Sequence, residues 1–156
     1  MTIQIDSREK ARAIVGILDT FRERGVSFHT SKLYVGDYMS LDNARLVIDR
    51  KQSLGEVAGN LAQDHKRFRD ECLRALDAGI KIVVLVEHGG GVKSLNDVFK
   101  WYNPRLYVTK SATPGPTLAK QMWTMAERYG IEWLFCEKAD TGDEIIRLLG
   151  GDIRAD

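Results

Sequence analysis

Residues 81 to 87 read KIVVLVE. Five consecutive aliphatic side chains leave a strand no polar face, so this segment has to be covered on both sides. Such a strand sits centrally in a mixed or parallel sheet with helices above and below. The flanking segments supply those helices. Before it, the spacing predicts a helix from Asp64 through Ala78, closed by Gly79, with Phe68, Cys72, Leu73 and Leu76 on its apolar side. After it, Pro116 to Tyr129 and DEIIRLL read as helices and IEWLFC as a last strand. The predicted class is α/β with three layers. With 156 residues, 44% of them hydrophobic, the chain can bury one core and is too short for two, so a single domain is predicted over residues 1 to 156.

The first half adds strands at one side of that sheet. TIQID alternates as a short strand should and delivers Asp6 at its end. A helix is predicted from about Lys10 to Arg24, with Ile14, Leu18 and Phe21 on one face and Gly25 as a left-handed terminator. VSFHTSKLYV reads as a second strand. DYMSL, the turn-forming Asp42-Asn43 and ARLVIDRK read as a hairpin, which brings Asp37 and Asp49 onto adjacent strands. Strand alternation turns Ile48 and Arg50 to one face and Asp49 and Lys51 to the other. A short helix is predicted from Leu54 to Leu61, and Ser94 with Asp97 suits the start of another that runs through Tyr102 and is stopped by Pro104.

Several function classes find no support. A net charge of +1 provides no global field toward nucleic acid or acidic membranes, so polyanion binding requires a local patch. The run IVVLV is far short of a membrane span, and MTIQIDSREK has no apolar leader core, which predicts a soluble protein. Cys72 and Cys136 lack both CxxC and Cys/His ligand spacing, arguing against a zinc site or a disulfide framework and for a reducing cytoplasm. EHGGGVKS lacks the GxxxxGK[ST] spacing and reads as a flexible turn.

The chemistry lies in VGDYMSLDNARLVIDRK, where an acid is followed at once by a basic pair at the end of a strand. Asp37 and Asp49 can hold a hard cation that prefers oxygen ligands, with the Arg50 backbone carbonyl as a further donor. The Lys51 ammonium can orient a water or offset charge on a phosphate. Asp6 and Glu9 could extend the site or hold a second ion. By spacing alone the same pattern also fits a solvated charged face. Candidate phosphate contacts are Lys66, Arg67 and Arg69, with Arg8 beside the first acids. His65 reads as a polar first-turn residue, and His29 and His88 as structural or surface residues. WYNPRLY puts aromatics beside Arg105, as a base-stacking strip or an interface, and the stripe Leu118, Met122, Met125 and Tyr129 reads as core or interface.

Taken in order, IDSRE at 5 to 9, VGDY at 35 to 38, VIDRK at 47 to 51 and RFRDECLRALDAGIKIVVLVE at 67 to 87 resemble the XPF-type nuclease domain of structure-specific endonucleases, in the PD-(D/E)XK superfamily. The hallmark of that family is a Gly-Asp followed later by Glu-Arg-Lys and then, after three more residues, an acid. The resemblance covers roughly the first 90 residues and implies a restriction-endonuclease-like α/β/α fold with a central mixed sheet and a catalytic hairpin. It implies Asp37 and Asp49 as metal ligands, Lys51 as the catalytic lysine, Arg50 as the middle basic residue, Asp6 and Glu9 as the first acidic pair, and Arg67 as the basic residue near the site. Two residues depart from the pattern: Asp49 stands in place of Glu, and Gly55 in place of the last acid, with Glu56 next to it. A nuclease domain without the family's tandem helix-hairpin-helix module is expected.

The implied activity is Mg²⁺- or Mn²⁺-dependent hydrolysis of branched, flap or junction DNA in repair or recombination. A near-neutral domain calls for a homodimer or a partner protein to supply grip, and relatives dimerise through their late helices. The implied location is the cytoplasm of a bacterial or phage system, or a nucleus in a eukaryote. The alternative within the fold is a catalytically silent DNA-binding and dimerisation module. An unrelated enzyme such as a phosphatase would instead carry its acids at the ends of parallel strands.

Overall fold

The computed structural model describes residues 1–150. Six strands form one mixed sheet, β1 (Thr2–Ile5), β2 (Ser27–Thr30), β3 (Tyr38–Ser40), β4 (Asn43–Lys51), β5 (Lys81–Glu87) and β6 (Glu132–Cys136), in the spatial order β2-β1-β3-β4-β5-β6. The expected buried strand is β5. It pairs in parallel with β4 and β6, and Ile82 through Val86 are all buried.

Alternation along β4 and β5 divides the interior into two cores. Val47, Ile82, Val84 and Val86 face α2 (Leu54–Ala62), α3 (His65–Asp77) and α5 (Gly115–Tyr129), where they meet Leu54, Phe68, Cys72 and Met122. Ile48, Val83 and Leu85 share the opposite core with Ile3, Ile5 and Tyr38, and there α1 (Val15–Glu23) and α6 (Thr141–Leu149) contribute Phe21 and Ile145. Helices on both faces make the predicted three layers. A short helix, α4 (Leu95–Lys100), leans on α5 so closely that a Cβ on Gly115 would lie 2.1 Å from the Trp101 carbonyl oxygen.

The hairpin forms as read, with β3 antiparallel to β4 and a register irregularity between Met39 and Ser40. Other segments depart from the expected bounds. The second strand stops at Thr30, because Ser31 N–H is held by the Ile5 carbonyl and Leu33 N–H is taken by the Asp6 carboxylate, which turns the chain off the sheet edge. The first helix begins with a separate 3-10 turn at Ala11–Ala13. Ser94 caps α4 as expected, but that helix ends at Lys100; Trp101 is extended, and Asn103 starts a 3-10 turn over Pro104–Tyr107. On α3 the buried positions are Phe68, Cys72 and Ala75, so Leu73 and Leu76, about 100° further round the helix, are exposed. Both cysteines are free, and burial pushes the Cys72 thiol up to about 12. Among the described residues no helix is long and apolar enough to cross a membrane.

Candidate active site

Gly36 has φ +76°, and a Cβ there would lie 2.8 Å from Val47 Cβ, so glycine is required before Asp37. Asp37 is then fixed from three sides. Its N–H donates to the Ile48 carbonyl at 2.8 Å, its carbonyl accepts from Asp6 N–H at 2.8 Å, and its Oδ2 accepts from Arg50 N–H at 2.8 Å. A strand residue's N–H and C=O leave by the same edge, so the Arg50 carbonyl is also directed toward the Asp37 side. Asp49 and Lys51 project from β4 into the α2–α3 side, as alternation predicts. Lys51 Nζ lies 3.4 Å from Asp49 Oδ2 and 5.1 Å from the centroid of the Phe68 ring.

These groups open on a cleft of about 300 Å³, whose far wall is the α2–α3 junction with Asn60, Asp64, Arg67 and Glu71. Burial and then the charges of Asp49 and Glu9 hold the Asp37 carboxyl well above its usual range. Burial draws Lys51 toward the neutral form, but Asp49, Glu56, Asp37 and Glu71 together outweigh it and leave the ammonium above its ordinary value. Lys51 is therefore a cation at neutral pH. It can compensate negative charge and cannot act as a ready base.

Arg50 faces the other way and does different work. Its Nε and Nη2 donate to the two carboxylate oxygens of Glu9 at 2.9 and 2.8 Å, and its Nη1 donates to Glu87. All three side chains are buried, with side-chain exposures of 5%, 8% and 4% for Arg50, Glu9 and Glu87. Burial opposes the guanidinium charge, but Glu9 and Glu87 more than restore it. Glu9 thus lines the cleft with both oxygens already accepting from Arg50.

Asp6 lies outside the cleft lining. Its Oδ1 accepts from Leu33 N–H at 2.8 Å, and its Oδ2 accepts from Arg8 N–H at 3.1 Å and Arg8 Nε at 2.6 Å. It braces the turn that carries the chain from β2 to Gly36, while the Arg8 side chain enters the cleft. Burial raises the Asp6 pKa, but the Leu33 and Arg8 donors outweigh it and leave the group below its ordinary value. That stability is fully present above the unfolded value, near 4, and is lost as pH falls through the lower folded value. Asp6→Ala is expected to cost about 2–3 kcal/mol. Urea midpoints should drop at unchanged m, and the acid-side loss of stability should shrink in the variant.

Of the basic residues on α3, only Arg67 reaches the cleft. Lys66 is paired with Asp70 at 3.0 Å on the exposed face, and Arg69 does not line the cleft. Glu56 lines it with one carboxylate oxygen accepting from Gln52 N–H at 2.7 Å, while Gly55 is the second residue of α2. His88 accepts from Leu54 N–H at 3.3 Å and so satisfies a donor at the start of α2. Two acids escaped the sequence reading. Glu71 follows Asp64 and Arg67 at helical spacing on the α3 face toward the cleft, and Glu87 lies two residues after Leu85 on the β5 face that Arg50 shares.

The donor set suits a hard divalent cation. Two crowded carboxylates, with Asp37 held above its usual range by burial first and by Asp49 next, are relieved by positive charge between them. Among the described residues no three His, Cys, Asp or Glu side chains are gathered as a ready ligand set. Mg²⁺ does not require one, because it keeps several waters and is held by one or two carboxylates plus substrate phosphates.

Comparison with known proteins shows the family and the fold. The family model described as the ERCC4 domain matches residues 5–148, well past the 90 residues on which the sequence resemblance rests. XPF from Aeropyrum pernix has the same fold, with TM-score 0.68 and 21% identity over 99% of this chain and 66% of that one. The same protein in complex with DNA gives TM-score 0.62 and 21% identity over 99% of this chain and 68% of that one. The chain thus spans about two thirds of the solved chains it matches. No curated protein matches it.

Proposed function

The chain belongs to the ERCC4 domain family, and on that premise we propose that it is a metal-dependent DNA endonuclease acting at branched, flap or junction DNA. The observation that carries the reading is the placement of Asp37 and Asp49 at one cleft with the Lys51 ammonium 3.4 Å from Asp49, all set by an antiparallel hairpin. Asp37, Asp49 and the Arg50 carbonyl would hold Mg²⁺ or Mn²⁺, which supplies Lewis-acid charge neutralisation when bound. Lys51 stays protonated and stabilises charge that develops on the scissile phosphate. Arg67 and Arg8, on opposite walls, clamp the DNA backbone. Glu9 positions Arg50 and is not assigned to the metal, and Asp6 supports the β1–β3 end of the site. Glu56 is the acid nearest the position where the family's last acid is replaced by Gly55, and it faces the cleft.

The domain works as a homodimer or with a partner protein. Phe99, Tyr102, Tyr107 and Trp123 around α4 and α5 are 51%, 56%, 82% and 59% exposed, an apolar strip at the late helices that such a partner would cover. Repair or recombination in a bacterial or phage cytoplasm, or a nucleus, is the setting that accords with this activity.

The test is cleavage of flap, splayed-arm, four-way-junction and plain duplex DNA in Mg²⁺ or Mn²⁺, with Lys51→Met and a chelator as controls. Cleavage should vanish with the chelator and drop about a hundredfold or more in the variant, the lower end for loss of one charge-stabilising group. Metal-independent binding without cleavage would instead identify a silent module.

A further inference from the structure

The other side of the α2–α3 junction carries a second hollow, of about 250 Å³. Leu61, Met125 and Tyr129 form an apolar lining, and the charged side chains in it are Lys120 and Arg128, with His65 nearby and no acid. Among the described residues neither Lys120 nor Arg128 is drawn into an ion pair. Gln121 and Thr124 also line it.

Each feature corresponds to a part of an unpaired nucleotide. The base faces find Tyr129 and the apolar lining, and the phosphate finds Lys120 and Arg128. The hollow is smaller than the roughly 300–1,000 Å³ of pockets for drug-sized ligands, which limits it to one base. Its position fits as well. Leu61 and His65 line the hollow, while Asn60, Asp64 and Arg67 of the same junction line the nuclease cleft. One narrow ridge therefore separates the two.

We propose that this hollow is a subsite for one unpaired nucleotide of a single-stranded arm that leaves the cleft across the α2–α3 junction. The inference rests on the nuclease reading and gives a preference for branched DNA a cause within this domain. An acidic side chain or free anion would meet the cations but leave the apolar lining and Tyr129 uncovered, whereas a nucleotide covers both.

The experiment places 2-aminopurine at each arm position of a splayed duplex in turn and measures binding with chelator present, against a blunt duplex. Wild-type protein should prefer the splayed DNA and change the fluorescence at one arm position. Lys120→Ala/Arg128→Ala should lower splayed-arm affinity about tenfold, the scale of one stacked base, with a smaller loss on blunt duplex. Both cations are exposed, so folding of that variant is not at issue. An equal loss on both DNAs would show a plain cationic surface and overturn the subsite while the nuclease reading stands. Wild-type protein that binds neither DNA would overturn both.

Discussion

Arg50→Met is expected to destabilise the fold by about 3–5 kcal/mol, the range for removing one partner of a buried ion pair. The guanidinium is the common partner of Glu9 and Glu87, and all three side chains are almost wholly buried. Without it two carboxylates face one another at the end of the sheet, with no hydrogen bonds from Arg50 and little water. Guanidinium chloride or urea midpoints read the loss directly. The cause is separable from lost packing. Adding Glu9→Gln and Glu87→Gln to Arg50→Met removes the stranded charges, and the triple variant should recover a large part of the loss even though it has fewer native polar groups. A single variant within about 1 kcal/mol of wild type would mean that Glu9 reaches solvent and that the pair behaves as a surface one. Activity of Arg50→Met is a second readout. Asp37 is held by the backbone N–H of residue 50 and not by its side chain, so any cleavage that survives in the folded fraction should keep its metal requirement.

This triad also marks the limit of what the sequence could tell. Alternation along β4 has a period of two, so the sequence alone separates Asp49 and Lys51 from Arg50. The fully apolar β5 likewise fixed its own place in the middle of the sheet. What the sequence does not carry is which cation answers which acid. Asp6, Glu9, Asp37 and Asp49 look alike in one dimension, yet in the fold Arg8 and Leu33 claim Asp6, Arg50 claims Glu9, and Asp37 and Asp49 remain facing the cleft. Glu71 and Glu87 were missed for the complementary reason. Each lies inside a segment that was read for its apolar positions, and only the packing of α3 and β5 against β4 shows which face its carboxylate takes. Leu73 and Leu76 differ from expectation for a related reason, since they lie beside the stripe of Phe68, Cys72 and Ala75 and the sheet accepts only that stripe.

Asp49→Asn should sharply lower cleavage and stabilise the metal-free fold. Asp37 is kept above its usual range by burial first and by Asp49 next. A folded pKa above the unfolded one means that the protonated form favours folding. That contribution is complete below the unfolded value, near 4, and is lost as pH rises through the folded one. At neutral pH the empty site therefore works against the fold, and neutralising Asp49 relieves part of it. Lys51 loses its nearest carboxylate in the variant but keeps the fields of Glu56, Asp37 and Glu71. A gain on the order of 1 kcal/mol corresponds to a Tm about 2–4 °C higher in chelator. Divalent cation should reverse the order. Wild type gains about 2.7 kcal/mol at a concentration a hundredfold above Kd, whereas the variant, with one carboxylate fewer, gains far less. Cleavage should fall roughly a hundred- to a thousandfold, the cost of removing one group that stabilises transition-state charge. The crossing of the two melting curves is the decisive observation. Equal metal-induced shifts in both proteins would place the cation elsewhere, and a variant less stable than wild type in chelator would show that the Asp49–Lys51 pair outweighs the repulsion at the site.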